Sequence, residues 1–208
     1  MPRPSVEFWY EFSSTYSYLS AMRIEEAAEA AGVTVLWRPF LLGPIFGAQG
    51  WSTSPFNLYP LKGRYMWRDM EREAARLRLP LCRPNPFPQN SLLAARIALV
   101  GLDRGWTPDF TRAVFTAEFG KGRNISDPVI LSEILTAIDG DPEAVLAAAE
   151  SEATKARLRR VGEEAQSRGI FGAPTFLAED GEMFWGNDRL DQALTWAVER
   201  VRRSEWPM

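Results

Sequence analysis

Val6-Glu7-Phe8-Trp9-Tyr10-Glu11-Phe12-Ser13-Ser14-Thr15-Tyr16-Ser17-Tyr18-Leu19 is the stretch that decides the fold. Its first half, Val6 to Phe12, is aromatic and partly alternating, the pattern of a strand. Ser13-Ser14-Thr15 breaks the run and supplies side chains that cap helices. From Tyr16 to Ala31 the apolar residues Tyr18, Leu19, Met22, Ala27 and Ala30 recur at helical spacing, and Gly32 closes that helix. Val33-Thr34-Val35-Leu36-Trp37-Arg38 reads as a second strand, stopped by Pro39. Strand, helix and strand within about 33 residues form a βαβ unit whose crossover is expected to be right-handed.

The chain continues in two further styles. Residues 43–61 are rich in Gly, Pro, Ser and aromatics, and predict a long irregular loop of the functional kind. Amphipathic helices are expected over Lys62–Leu77, Asn90–Asp103, Asp109–Phe119, Asp127–Ile138, Asp141–Ala149 and Ser151–Gln166. Asp127-Pro128 and Asp141-Pro142 are good starts, each pairing a cap with a first-turn proline. Gly169 to Leu177 is a turn entering a strand, Glu179-Asp180-Gly181-Glu182 is a hairpin turn, and Met183-Phe184-Trp185 is a short return strand. A helix over Arg189–Arg203 closes the plan: βαβ, a helical block, then ββα.

Composition bounds the function. A chain of 208 residues that is 46% hydrophobic and 25% charged can bury enough surface to need neither disulfide nor metal. The net charge of −3 lacks the basic footprint of a nucleic-acid binder. Cys82 is the single cysteine, so no internal disulfide forms and a reducing compartment fits. There is no histidine, which removes the commonest general base and metal ligand together. Met1-Pro2-Arg3-Pro4-Ser5 leads into no long hydrophobic core of the signal-peptide kind. No apolar stretch approaches the roughly 20 residues of a membrane span. The expectation is a cytoplasmic protein without a membrane or nucleic-acid partner.

Four constellations carry chemistry. Ser14 and Ser17 stand at a helix start, where unpaired N–H groups and a partial positive charge favour a thiolate or carboxylate. A serine hydroxyl performs no redox chemistry, but it donates a hydrogen bond to a thiolate that a ligand supplies; plain capping also accounts for both serines. In Gly172-Ala173-Pro174-Thr175 the proline either opens a strand or, if cis, leaves the Ala173 backbone free to pair with an extended peptide. In Trp185-Gly186-Asn187-Asp188, Asn187 or Asp188 either caps the last helix or holds a ligand's amino group. Lys62 and Arg64 either meet a ligand carboxylate or are a solvated helix start. Cys82 has no partner and reads as structural.

Phe12 to Leu19, Trp37-Arg38-Pro39-Phe40-Leu41-Leu42-Gly43, Lys62-Gly63-Arg64-Tyr65-Met66 and Gly169 to Leu190 occur in one order. That order resembles the 2-hydroxychromene-2-carboxylate isomerases and the kappa-class glutathione transferases, over about residues 6–200. The resemblance implies an α/β, DsbA-like thioredoxin fold, with 1–42 and 169–208 as the thioredoxin-like part and 43–168 as a loop plus helical insertion. It also implies bound glutathione, no metal, and a homodimer. Ser14 would hold the glutathione sulfur with Thr15 and Tyr16 beside it, Ala173 would pair with the cysteinyl backbone, and Asn187 and Asp188 would bind the γ-glutamyl end. Thr15 stands where the family usually has Pro, Trp51 where it has an Asn, and Gly47 where it has a Lys. Asn57 is the candidate to replace that Asn. Trp9, Phe46, Trp51 and Phe56, with Asn57 and Lys62, are expected to line a pocket for a small aromatic or electrophilic substrate.

The activity implied is a glutathione-dependent isomerisation, in which a thiolate adds to an electron-poor alkene, the bond rotates and the thiolate leaves. A kappa-class-like transferase and a non-catalytic thioredoxin-fold binding module are the alternatives. A dithiol oxidoreductase is excluded by the lone cysteine.

Overall fold

The computed structural model describes residues 3–205; residues 1–2 and 206–208, the outer ends of segments 1–42 and 169–208, lie outside the described residues. Among the described residues four strands form one mixed sheet: β1 (Ser5–Tyr10), β2 (Thr34–Pro39), β3 (Thr175–Ala178) and β4 (Met183–Trp185), in the order β2-β1-β3-β4. β1 pairs parallel with β2 and antiparallel with β3, which pairs antiparallel with β4. This is the expected thioredoxin-like arrangement.

β1 lies inside the sheet, so both its faces are covered and alternation sends its aromatics to opposite sides. Phe8 and Tyr10 enter the larger core, where Phe8 stacks on Tyr10 and Phe176 at 5.0 and 5.5 Å and meets Trp37 edge-on at 5.2 Å. Such pairs contribute about 0.5–1.5 kcal/mol each beyond burial. Trp9 enters a smaller core with Phe40, Ile45, Ala165, Ile170 and Leu177.

Three expectations change at their edges. The strand ends at Tyr10 rather than Phe12, because Glu11 turns inward and its carbonyl accepts the Ser14 N–H at 3.0 Å. Pro39 lies in β2 rather than beyond it, opposite Tyr10; an edge strand tolerates a residue without an N–H. The helix expected over Tyr16–Ala31 is two, α1 (Thr15–Ala21) and α2 (Ile24–Ala31). They break at Arg23, whose guanidinium is tied to the C-terminal segment by hydrogen bonds to Asn187 and Asp191.

The irregular loop expected over 43–61 instead holds α3 (Gly43–Ala48), α4 (Pro55–Leu58) and the start of α5 (Pro60–Arg76). Pro44, Pro55 and Pro60 each sit in a first turn, where proline is pre-set for the helix and its missing N–H costs nothing. Gly63 is required by the close approach of these two elements, since a Cβ there would collide with the carbonyl oxygen of Phe56. The helical block continues with α6 (Leu92–Arg104), α7 (Thr107–Phe115) running into a π-turn (Thr116–Gly120), α8 (Pro128–Ile138), α9 (Pro142–Glu150) and α10 (Glu152–Ser167). Asp127, Asp141 and Ser151 cap the last three as expected, their side chains accepting from Val129, Ala144 and Thr154 N–H groups. The chain closes with α11 (Leu190–Glu205). Among the described residues no helix is long and apolar enough to cross a membrane.

Candidate active site

The start of α1, the turn before β3 and the turn after β4 meet at one end of the sheet. They face α3, α4 and the segment Phe87–Leu92 across a cleft of about 1430 Å³. That exceeds the ~300–1,000 Å³ usual for one small ligand.

Ser14 is the N-cap of α1, with extended backbone at φ −88° and ψ 115°. Its Oγ accepts the Ser17 N–H at 3.2 Å and donates to the Ala173 carbonyl at 3.0 Å. Capping is therefore real, and the hydroxyl also crosses to the peptide before Pro174. The Ala173–Pro174 bond is cis. Thr15 is buried and Tyr16 half-buried beside the serine. Tyr16 donates to Asp69 Oδ2 at 2.9 Å; burial, and then that carboxylate, push its phenol well above the ordinary tyrosine value, so it stays a donor.

Asn187 does not cap α11. It is buried, and its Oδ1 accepts from Ser20 Oγ at 3.0 Å and Arg23 Nε at 3.3 Å, while Arg23 also donates to the Asn187 carbonyl at 2.7 Å. Its amide N–H groups are the donors that remain. Gly186 before it has φ +111°, a region that side chains avoid, and a Cβ there would meet the Asp188 carboxylate at 2.6 Å. Asp188 is exposed and lines the cleft.

The opposite wall is aromatic. Phe46 and Trp51 meet at 5.6 Å, Phe56 meets Tyr16 at 6.4 Å, and Lys62 lies 4.9 Å from the Tyr59 ring; Phe46, Trp51, Phe56 and Lys62 all line the cleft. Two expected pocket residues do not. Trp9 is fully buried in the smaller core, on the face of β1 away from Tyr10, with its indole N–H donating to Glu7 at 2.8 Å. Asn57 is spent on bracing α4: its amide donates to the Phe87 carbonyl at 3.1 Å and to Thr53 at 3.3 Å. Arg64 is exposed and lies outside the cleft lining. Cys82 is exposed, and no side chain of the lining is a thiol.

Several lining residues carried no sequence signal. Arg23 falls within the helix expected over Tyr16–Ala31 with no role assigned, yet it holds the Asn187 turn in place. Glu11 falls inside the expected strand Val6–Phe12 with no role assigned, yet it follows β1 and is 7% exposed. Burial, offset partly by hydrogen bonds from Ser91 and Ser13, pushes its carboxyl up to about 7.

A mixed four-stranded sheet with a serine at the first helix start and a cis-proline opposite it defines a thioredoxin-fold ligand site without redox cysteines. The DSBA-like thioredoxin domain model matches residues 5–195, and the chain belongs to that family. The 2-hydroxychromene-2-carboxylate isomerase of Pseudomonas putida is 30% identical over 193 residues, covering 89% of this chain and 90% of that one. The human glutathione S-transferase kappa 1 is 27% identical over 207 residues, covering 92% and 89%. A solved 2-hydroxychromene-2-carboxylate isomerase superposes with a TM-score of 0.82 at 28% identity over 97% of both chains. The chain is thus an enzyme of the group that holds these isomerases and the kappa-class glutathione transferases.

Proposed function

We propose that this enzyme is a glutathione-dependent isomerase of the 2-hydroxychromene-2-carboxylate isomerase type, with Ser14 at its centre. The observation that carries the reading is the Ser14 hydroxyl: half-buried, at a helix N-terminus, bonded to the carbonyl before the cis-proline, in a cleft whose lining has no thiol. The name of the human relative supports glutathione as the co-substrate, and those of the bacterial relatives support isomerisation.

The residues present fit the tripeptide. Ser14 donates to the sulfur once its proton leaves the Ala173 carbonyl, and that carbonyl is then available to a ligand backbone N–H. The Ser17 N–H and the α1 N-terminus add positive potential where the sulfur sits. Asn187, its oxygen already engaged, offers N–H donors, and Asp188 offers a carboxylate to an ammonium group. When bound, glutathione supplies the thiolate that adds to a conjugated alkene and leaves after the bond has rotated. Phe46, Trp51 and Phe56 form the apolar wall for the planar second substrate, and Lys62 stands near for a carboxylate. The same wall and thiolate serve a transferase; the two activities differ in whether glutathione is recovered.

Leu58, Tyr59, Leu61 and Tyr65 form an exposed apolar ridge, with Leu61 at 74% and Tyr65 at 64% exposure. The exposed ridge supports the homodimer that the resemblance implies, with a second copy of the chain covering it, and the mass in solution tests this.

Thermal-shift titration with glutathione tests the site. At a hundred times Kd the ligand should stabilise the protein by about 2.7 kcal/mol. Ser14→Ala and Asn187→Ala should reduce the shift. No shift of the wild type at millimolar glutathione overturns the reading.

A further inference from the structure

A buried acidic pair lies behind Ser14, and the scheme above leaves it without a role. Glu11 belongs to the same turn as the serine, its carbonyl accepting the Ser14 N–H at 3.0 Å. It is 7% exposed yet lines the cleft. Its carboxylate accepts from the Ser91 hydroxyl and from the backbone N–H of Ser13, both cleft-lining residues, while the Ser13 hydroxyl donates to the Gln89 carbonyl at 2.5 Å. Glu118, in the π-turn after α7, is fully buried, and neither of its carboxyl oxygens has a hydrogen-bond partner. It interacts electrostatically with Glu11, and among the described residues no Lys or Arg forms an ion pair with either. Gln89 completes the group, with Oε1 accepting the Ile125 N–H at 2.8 Å and Nε2 unpartnered.

Burial of this kind is costly and calls for an explanation. Two coupled carboxylates in a low-dielectric pocket do not both ionise readily, so one of them keeps its proton. Burial, and next the Glu11 charge, raise Glu118 well above the ordinary carboxylate value; burial raises Glu11 only to about 7. Glu118 therefore keeps its proton at neutral pH while Glu11 is poised to gain or lose one.

A thiol that binds as a thiolate must give up a proton, and this chain has no histidine to take it. The other carboxylates of the cleft are otherwise placed. Asp69 is bonded to Tyr16 and Arg72, and Glu73 to Arg76. Asp188 and Asp191 are exposed, their side chains at 72% and 75%.

We infer that Glu11 is the proton acceptor of the thiol site, with protonated Glu118 behind it. As the ligand's S–H bond breaks, its proton passes to the Ser91 oxygen and the Ser91 proton forms an O–H bond on the Glu11 carboxylate. The reverse transfer restores the thiol when it is released. Glu11 is thereby a positioning residue for the proton rather than a contact of the sulfur. This inference rests on the glutathione reading above.

The test uses glutathione with the purified full chain and two measurements: thiolate absorbance near 240 nm, and the protons released on binding, from calorimetry in buffers of differing ionisation enthalpy. Above pH 7 the wild type should form the thiolate while releasing almost no proton, and the release should rise as pH falls through about 7, where Glu11 is already protonated. This arm needs no variant. In Glu11→Gln the proton should go to the buffer in step with thiolate absorbance, with no dependence on pH across that range. Glu11→Asp should restore uptake, and Glu118→Gln should keep the wild-type count, whereas a merely structural role for the pair would move both substitutions alike. S-methylglutathione, which has no thiol proton, should show no such difference. Thiolate formation with full proton release by the wild type above pH 7 overturns the inference and leaves the site reading intact; binding without thiolate overturns the inference together with the thiolate step of the proposed function, leaving glutathione binding alone. Absence of glutathione binding overturns both.

Discussion

The two walls of the cleft are built differently. The wall holding Ser14, Ala173 and Asn187 consists of the ends of strands and helices, and each residue is fixed by hydrogen bonds that reach across the chain: Ser14 to Ala173, Ser20 and Arg23 to Asn187, Ser91 to Glu11. The facing wall consists of short helices started by prolines, with half-buried rings that touch mostly one another. Geometry held within a fraction of an ångström is what a donor aimed at a reacting atom needs. An adaptable apolar face is enough to select a planar substrate. The difference assigns chemistry to the first wall and selectivity to the second.

Substitutions that separate binding from turnover break or sharpen that division. Ser14→Ala should cost the most, about ten- to a thousandfold in turnover of a reactive electrophile, the scale for losing one oriented donor. Steady-state kinetics at saturating glutathione check it, and wild-type turnover would remove Ser14 from the chemistry.

The foundation of the first wall should show itself in stability against pH. Burial raises the Glu11 carboxyl from 4.5 to about 7 in the folded state. The folded protein therefore binds the proton more tightly than the unfolded chain. Its stabilisation is complete below about pH 4.5 and is lost as pH rises through about 7, on the order of 3 kcal/mol across that window. The stability measured by denaturant unfolding should decline as pH rises through that range for the wild type and decline less in Glu11→Gln.

Arg23→Ala should release the Asn187 turn. Losing charge-assisted hydrogen bonds of this kind costs about 1.5–3 kcal/mol, which predicts roughly ten- to a hundredfold weaker glutathione binding by calorimetry with a smaller change in turnover at saturation. The smallest effect belongs to the second wall. Trp51→Ala should raise KM for an aromatic second substrate about tenfold and leave glutathione affinity unchanged. Equal losses in both affinities would erase the distinction between the walls.

Much of the first wall was legible because its residues lie in short local motifs. A serine after an aromatic strand, a proline before a strand and a glycine before a helix each declare their backbone role within a few residues. The second wall was misread at Trp9 and Asn57. Trp9 sits on a central strand, where both faces are covered, so an aromatic there belongs to a core and not to a pocket. Loop position alone points Asn57 to the pocket, while the Phe87 carbonyl that holds it is 30 residues away. The stretch 43–61 reads as loop from its Gly, Pro, Ser and aromatic content, although three of its prolines open helices.

Order and spacing of motifs along the chain determined the thioredoxin-like plan and the place of Ser14, Ala173 and Asn187, since those depend on local backbone preferences. Tertiary structure alone decided that Glu11 and Glu118 share a buried site, that Arg23 supports Asn187, and that Trp9 lies beneath the sheet. Burial and electrostatic coupling are sums over neighbours that fold in from distant positions, and no local pattern of residue types encodes them.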